Sequence, residues 1–192
     1  MKLRRFVAYM IDFMLVEFLA AFLVFIPAFG YDFEEHKEAM DMYINFYLSA
    51  NEDKDEDEFI QVLKDFDRSS LPLTISLTTV TFLYFGVFGY IRNGQTLGKK
   101  IMKLRIVPIQ GKELNPHLFI LREVILLDIG FNLLRILVTL FCRSSDAWLT
   151  CYTIVGNLSS MISFAIYGFV LMRMDGRGLH DMIAQTKVIS ES

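Results

Sequence analysis

Residues 92–107 read RNGQTLGKKIMKLRIV, a long basic break between two pairs of very apolar segments. Gly94 and Gly98 punctuate it, and Arg92, Lys99, Lys100, Lys103 and Arg105 crowd into it. Cations massed beside membrane-length apolar runs anchor a loop on the cytoplasmic side. Every other orientation in the chain follows from that assignment. The string G-Q-T-L-G-K-K imitates a phosphate-binding loop, but the Walker pattern needs four residues between its glycines and then Lys and Ser/Thr. Here three residues intervene, two lysines follow, and an apolar run rather than a strand precedes.

Composition agrees with a membrane class. The 192 residues are 54% hydrophobic, with mean hydropathy +0.41, far above the soluble average. Eighteen Phe stand against one Trp, which suits lipid-facing helices. The length allows one compact membrane domain and no separate catalytic one. The net charge of -3 conceals a strong segregation of charge along the chain. Cys142 and Cys151 are too few for a disulfide scaffold or a structural zinc site.

The first apolar run, residues 6–29, follows the basic Met1–Arg5. It is too long for a signal-peptide core, and Asp12 and Glu17 interrupt it, so it reads as a retained transmembrane helix. A central charged Asp costs about 2.5 to 3.5 kcal/mol on insertion scales, so both acids are expected to face protein or water, or to be protonated. Arg5 and Asp12 share a face but stand about 10 Å apart in rise, which calls for a partner on another helix. Asp12 is either an acceptor clamping two helices or part of an ion or solute path.

Residues 31–70 are acidic and poor in Lys and Arg, as befits an extracytoplasmic loop. Met40, Tyr43, Ile44, Tyr47 and Leu48 follow helical spacing, as do Phe59, Val62, Leu63 and Phe66, so two amphipathic helices should form a cap. Asp53, Asp55 and Asp57 imitate the start of a calcium loop, but Glu58 and Lys64 fill the positions that need Gly and Glu. A solvated charge run is the simpler reading. The second membrane run, residues 71–91, is rich in Thr, Ser and Gly, which permit close helix approach.

Residues 92–117 form the cytoplasmic loop. Thr96 is placed to cap a short amphipathic helix, with Leu97, Ile101 and Leu104 on one side and lysines lying along anionic headgroups on the other. Leu104–Val107 reads as a short strand and Gln110–Gly111 as a turn. The lysines are explained by lipid, and nothing points to nucleic acid.

The third run, residues 118–141, carries Asp128, Asn132 and Arg135 at i, i+4 and i+7, hence on one face of a continuous helix. That polar stripe fits either a satisfied interhelical network or a cation or proton path with Asp128 titrating. It is expected to line a seam against the first helix, with Asp12, Glu17, Asn157 or Ser160 as partners. Cys142 and Cys151 flank a short outer hairpin and are expected as free thiols, with Trp148 as an interfacial anchor. The fourth run covers residues 148–173. The tail, 174–192, ends in Thr186–Ile189, a strand expected to pair with Leu104–Val107. The fold expected is therefore an all-α four-helix transmembrane bundle, with an acidic extracytoplasmic helical insertion and a small cytoplasmic β pairing.

Three separated pieces carry a resemblance: R-F-V-A-Y-M-I-D from Arg5 to Asp12, G-Q-T-L-G-K-K-I-M-K-L-R-I-V after the second helix, and D-G-R-G-L-H-D-M-I-A-Q-T-K-V near the C-terminus. In order and spacing the chain resembles the RDD family of multi-pass membrane proteins. The resemblance implies that Arg5 and Asp12 are the name-giving arginine and first aspartate, with Asp181 as the second. Gly94, Thr96, Gly98, Lys99, His180 and Asp181 fall in its cytoplasmic motifs. It further implies transport of unidentified ligands, with cation/proton exchange for some members. The acidic insertion lies beyond what the resemblance covers.

Two function classes follow. One is a small transporter or transporter subunit in the cell membrane, both termini cytoplasmic, with Asp12, Asp128 and Arg135 in the path and an inorganic cation or proton as substrate. Four helices make a thin wall, so transport favours a homo-oligomer. The other is a non-transporting scaffold or accessory subunit that holds a membrane-protein partner. No nucleophile–base pair or ligand set points to an enzyme, and no cofactor or metal is expected.

Overall fold

A computed structural model describes residues 2–26, 30–48, 55–109, 113–173 and 177–191. The described chain is predominantly helical. Helix α1 spans Lys2–Val24, so the basic N-terminus is already helical. An excursion of two helices follows, α2 (Phe33–Leu48) and α3 (Glu56–Ser69), and then the second long helix, α4 (Leu71–Ile91). Asp55 caps α3, its carboxylate accepting from the Asp57 amide at 3.1 Å, and Pro72 opens α4. Within α4, Phe82–Phe88 is π-wound, which widens the turn and re-aims the side chains there. The Asp53 position and the Gln110–Gly111 turn lie outside the described residues.

After α4 come the short helix α5 (Leu97–Ile101) and strand β1 (Leu104–Pro108). The third membrane run is broken rather than continuous. Helix α6 (Pro116–Leu126) and helix α7 (Ile129–Phe141) are bent by 65° about Leu127–Asp128. Asp128 itself is left-handed, with φ 58. That conformation stops a helix, and Asp tolerates it better than most residues because its short side chain bonds locally. Helix α8 runs Ser145–Met172, and the tail holds α9 (Leu179–Ile183) and β2 (Thr186–Ser190).

Among the described residues three helices can cross a membrane by length and composition: α1, α4 and the Ser145–Val170 part of α8. The bent α6–α7 pair makes four if it counts as one span. The bundle is polarised. At one end β1 and β2 pair antiparallel, Leu104 opposite Ser190 and Pro108 opposite Thr186, the pairing expected from the sequence. One face of this ribbon buries Leu104, Ile106 and Val188 against Ala8 of α1 and Phe119 of α6. Gly94 sits at φ 79 beneath it, where a Cβ would lie 2.4 Å from the Ile106 carbonyl oxygen, so only glycine fits. At the other end α2 and α3 pack on each other as a cap, and α3 also rests on α7 and α8. Between the ends, Val16, Ala20, Val80, Tyr84 and Phe85 form the α1–α4 seam. There the Ser76 hydroxyl donates to the Ala20 carbonyl at 2.8 Å, a packing role for the small polar residues of α4.

Three local expectations are overturned. Trp148 is no interfacial anchor: it is 2% exposed, stacks on Tyr152 and donates its indole N–H to Thr139 at 3.3 Å. In helix α5 the lysines do not share one surface, because the Lys99 side chain, 15% exposed, points inward while Lys100 stays exposed. Finally, α7 packs on α8 and α4, so the polar seam expected between the first and third helices does not form. Cys142 and Cys151 are free thiols, both half-buried.

Candidate active cavity at the sheet end

Asp12 is fully buried on α1 and meets three donors. The Tyr84 hydroxyl donates to its Oδ1 at 2.6 Å, the Gly98 amide to the same oxygen at 2.6 Å, and the Thr96 hydroxyl to Oδ2 at 2.5 Å. Hydrogen bonds to a carboxylate are roughly twice as strong as neutral ones, so three of them fix the side chain firmly in place. The G-Q-T-L-G string is thus a carboxylate cradle closed over α1. Its Gly98 is dictated by space: a Cβ there would lie 2.2 Å from the Ala8 carbonyl oxygen and 2.9 Å from Asp12 Cγ. Thr96 stands at the N-cap of α5, yet its hydroxyl serves Asp12 rather than the helix.

Asp12 also lines a cavity of about 360 Å³ with mostly apolar walls, among them Tyr9, Phe85, Leu126 and Tyr167. A buried charge network forms its other side. Arg122 of α6 donates Nε to Asp181 Oδ1 at 2.9 Å and Nη1 to Glu123 Oε1. Asp181 accepts further from the Gly178 amide at 3.2 Å and the Thr186 hydroxyl at 3.4 Å. Lys99 Nζ stands 3.9 Å from Glu123 Oε1 and 5.9 Å from the centroid of the Phe85 ring. Glu123 is 1% exposed, and its second oxygen has no hydrogen-bond partner.

Burial sets the protonation of the groups outside the helices that span. It pushes the Lys99 ammonium below its ordinary pKa, against the pull of Glu123. Burial, then Arg122, pushes His180 down to about 4, so at neutral pH a neutral imidazole stands 3.6 Å from Asp181. For Asp181 burial acts upward, but the Arg122 guanidinium and His180 outweigh it and hold the carboxyl below its usual range.

Arg5 completes the wall, its Nη2 donating to the Val188 carbonyl at 3.1 Å and so tying α1 to β2. Arg5 and Asp12 of α1 and the distant Asp181 therefore line one cavity. The family model described as RDD family matches residues 2–185. The chain belongs to the RDD family. No curated protein and no solved structure matches it. The RDD match spans all four membrane runs and every residue lining the cavity except Val188, and it includes the cradle residues Thr96 and Gly98.

The remaining sequence candidates lie elsewhere. Asp128 sits at the helix break, where its Oδ2 accepts from Ser159 of α8, and the break removes the continuous stripe with Asn132 and Arg135. Asn132 and Arg135 line a second cavity toward the cap end. Glu17 is exposed on the flank of α1, neither turned inward nor beside Arg135. Conversely, Arg122, Glu123, Tyr84 and Tyr167 were not among the site candidates. Adjacent opposite charges inside an apolar run are the one signal that could have singled out Arg122–Glu123. Among the described residues, no group of three or more His, Cys, Asp or Glu is placed to hold a metal ion.

Proposed function

We propose that this membrane protein is a small transporter, or the transporting subunit of a larger assembly, and not an enzyme. In this reading it exchanges a monovalent cation for a proton at the sheet-end cavity. Both termini lie on the cytoplasmic side of the cell membrane, because the basic Arg92–Val107 loop stays inside and the acidic insertion outside.

One observation carries the proposal: Glu123 is almost fully buried in the cavity with one oxygen unpartnered and Lys99 beside the other. A protonated Lys99 balances the carboxylate. Loss of that proton, which burial favours, leaves Arg122 alone against the Glu123 and Asp181 carboxylates, a net single negative charge that a cation at the free Glu123 oxygen balances. Arg122 bridges Glu123 and Asp181 and cannot neutralise both, and the apolar walls exclude water, so one proton exchanged alters the field in the cavity strongly.

The test is dissipation of a pH gradient by added lithium, sodium or potassium salts in proteoliposomes. Wild type should dissipate it, Glu123→Gln should not, and Asp128→Asn should retain most of the activity. No flux from wild type, or equal flux from Glu123→Gln, overturns the proposal. The second reading, a non-transporting scaffold, is favoured by Glu17, whose carboxylate on an exposed membrane-helix face calls for a protein partner. Under it, Glu123→Gln lowers thermal stability in detergent with no flux to lose.

A further inference from the structure

The cap end of the bundle holds a second cavity, of about 210 Å³, and its walls are polar where those of the first are apolar. Thr74 of α4, Asn132, Arg135 and Thr139 of α7, and Tyr152 of α8 surround it, and Asp67 of α3 roofs it. Two opposite charges face this space without meeting. Among the described residues no carboxylate lies within ion-pairing distance of Arg135. Its guanidinium instead stacks over Tyr152, 5.8 Å from the ring centroid, and its Nε is buried without a hydrogen-bond partner.

Asp67 is fixed from the other side. Trp148 donates to the Thr139 oxygen at 3.3 Å, which turns the Thr139 hydroxyl proton toward Asp67 Oδ2. The carboxylate is therefore held in place by a chain of two donors before any ligand arrives. Gly156 of α8 lies beside the guanidinium, where a Cβ would stand 3.6 Å from Arg135 Nη2 in ordinary contact.

Charge arithmetic selects the occupant. A simple anion would satisfy Arg135 but face Asp67, and a simple cation would suffer the reverse. A neutral solute would leave both groups desolvated and poorly paired. A small molecule carrying one charge of each sign satisfies both, and the space suits one such molecule or about seven waters. We propose that the cap-end cavity binds a small zwitterion of the α-amino-acid type, its carboxylate on Arg135 and Asn132 and its ammonium on Asp67 and Thr74. This site does not depend on the proton-exchange reading of the sheet-end cavity.

Trp148 is the chain's single tryptophan, and it is bonded to the wall residue Thr139. Its emission therefore reports occupancy directly. The full chain in detergent is titrated with alanine, propionate and ethylammonium, and retention of radiolabelled alanine is measured by equilibrium dialysis. The expected result is saturable binding of alanine, with each single-charge relative weaker by about tenfold or more, since each leaves a built polar group unpaired. Arg135→Gln and Asp67→Asn should each weaken alanine binding by a similar factor.

Asp67 also fastens the cap, so Thr74→Val serves as a variant that keeps the Asp67–Thr139 bond and loses only a local bond to the Ser70 carbonyl, with a several-fold loss expected. The ranking of the three probes on wild type needs no variant at all. No retention of alanine by wild type means a hydrated vestibule only, and overturns the proposal. So does propionate or ethylammonium binding as tightly as alanine, or folded variants binding it unchanged.

Discussion

Asp12 illustrates how a single carboxylate organises this protein. Its three donors come from a side chain on α4, a hydroxyl in the loop and a backbone amide on α5, so one residue joins three segments of chain. Hydrogen bonds to a charged group contribute about 1.5 to 3 kcal/mol each, and a donor left buried without its acceptor costs as much again. Asp12→Asn should therefore lower stability by about 3 kcal/mol or more, because the new amide nitrogen must face donors. Gly98→Ala should be comparably damaging through a different cause, since the obstructing Ala8 carbonyl is backbone and cannot swing aside. Tyr84→Phe removes the bond donated to Asp12 and also the one the hydroxyl accepts from the Leu97 amide at 3.1 Å, so it should cost about 2 kcal/mol or more. Thermal melts in detergent provide the comparison, and a Gly98→Ala protein melting with wild type would refute the cradle.

The element most exposed to pH is the α9–β2 tail. It is held to α6 by the Arg122–Asp181 pair, and to α1 by Arg5 bonding the Val188 carbonyl. His180 falls from an ordinary 6.5 to about 4 on folding, burial being the main cause. The unfolded chain then takes up a proton between those values that the folded chain refuses. Stability is complete above pH 6.5 and declines as pH falls toward 4, by on the order of 3 kcal/mol at most. Asp181 acts in the same direction at lower pH, because its depressed pKa contributes stability that disappears as the carboxylate is protonated. Hydrogen exchange of residues 179–190, corrected for intrinsic rates, should lose protection between pH 6.5 and 4 while α4 retains it. His180→Gln should flatten that step. Protection independent of pH would show that the imidazole is not held neutral by burial.

Across the whole molecule, charge is segregated between the two ends. The cap end carries the acidic helices α2 and α3, and the sheet end carries Lys99, Lys100, Lys103 and Arg105. This asymmetry sets the expected orientation in the bilayer. In a background with Cys142→Ser and Cys151→Ser, Glu58→Cys should react with an impermeant maleimide on intact cells. Lys187→Cys should react only after permeabilisation. Both parent positions are exposed, so access is decided by the membrane rather than by packing. Labelling with the opposite pattern would invert the topology and with it the assignment of the sheet-end cavity to the cytoplasm.

The membrane class, the four apolar runs, the helical cap and the β1–β2 pairing were legible in the sequence, because each rests on local periodicity and length. The motif positions Arg5, Asp12, Thr96, Gly98 and Asp181 were legible as a set. What they do was not: the cradle needs a hydroxyl from Tyr84, whose position depends on the π-wound turn of α4. The inward turn of Lys99 was hidden for a similar reason, since α5 alone reads as an amphipathic surface helix. The break at Asp128 defeated the stripe with Asn132 and Arg135. Spacing arguments assume one uninterrupted helix, and a single left-handed residue cancels that assumption. Sequence thus determined which segments enter the bilayer, through the free energy of apolar burial and the cost of unpaired backbone. Only the tertiary structure decided which buried charges meet, because a carboxylate in a low-dielectric interior takes whatever donors packing brings within reach, however distant in the chain.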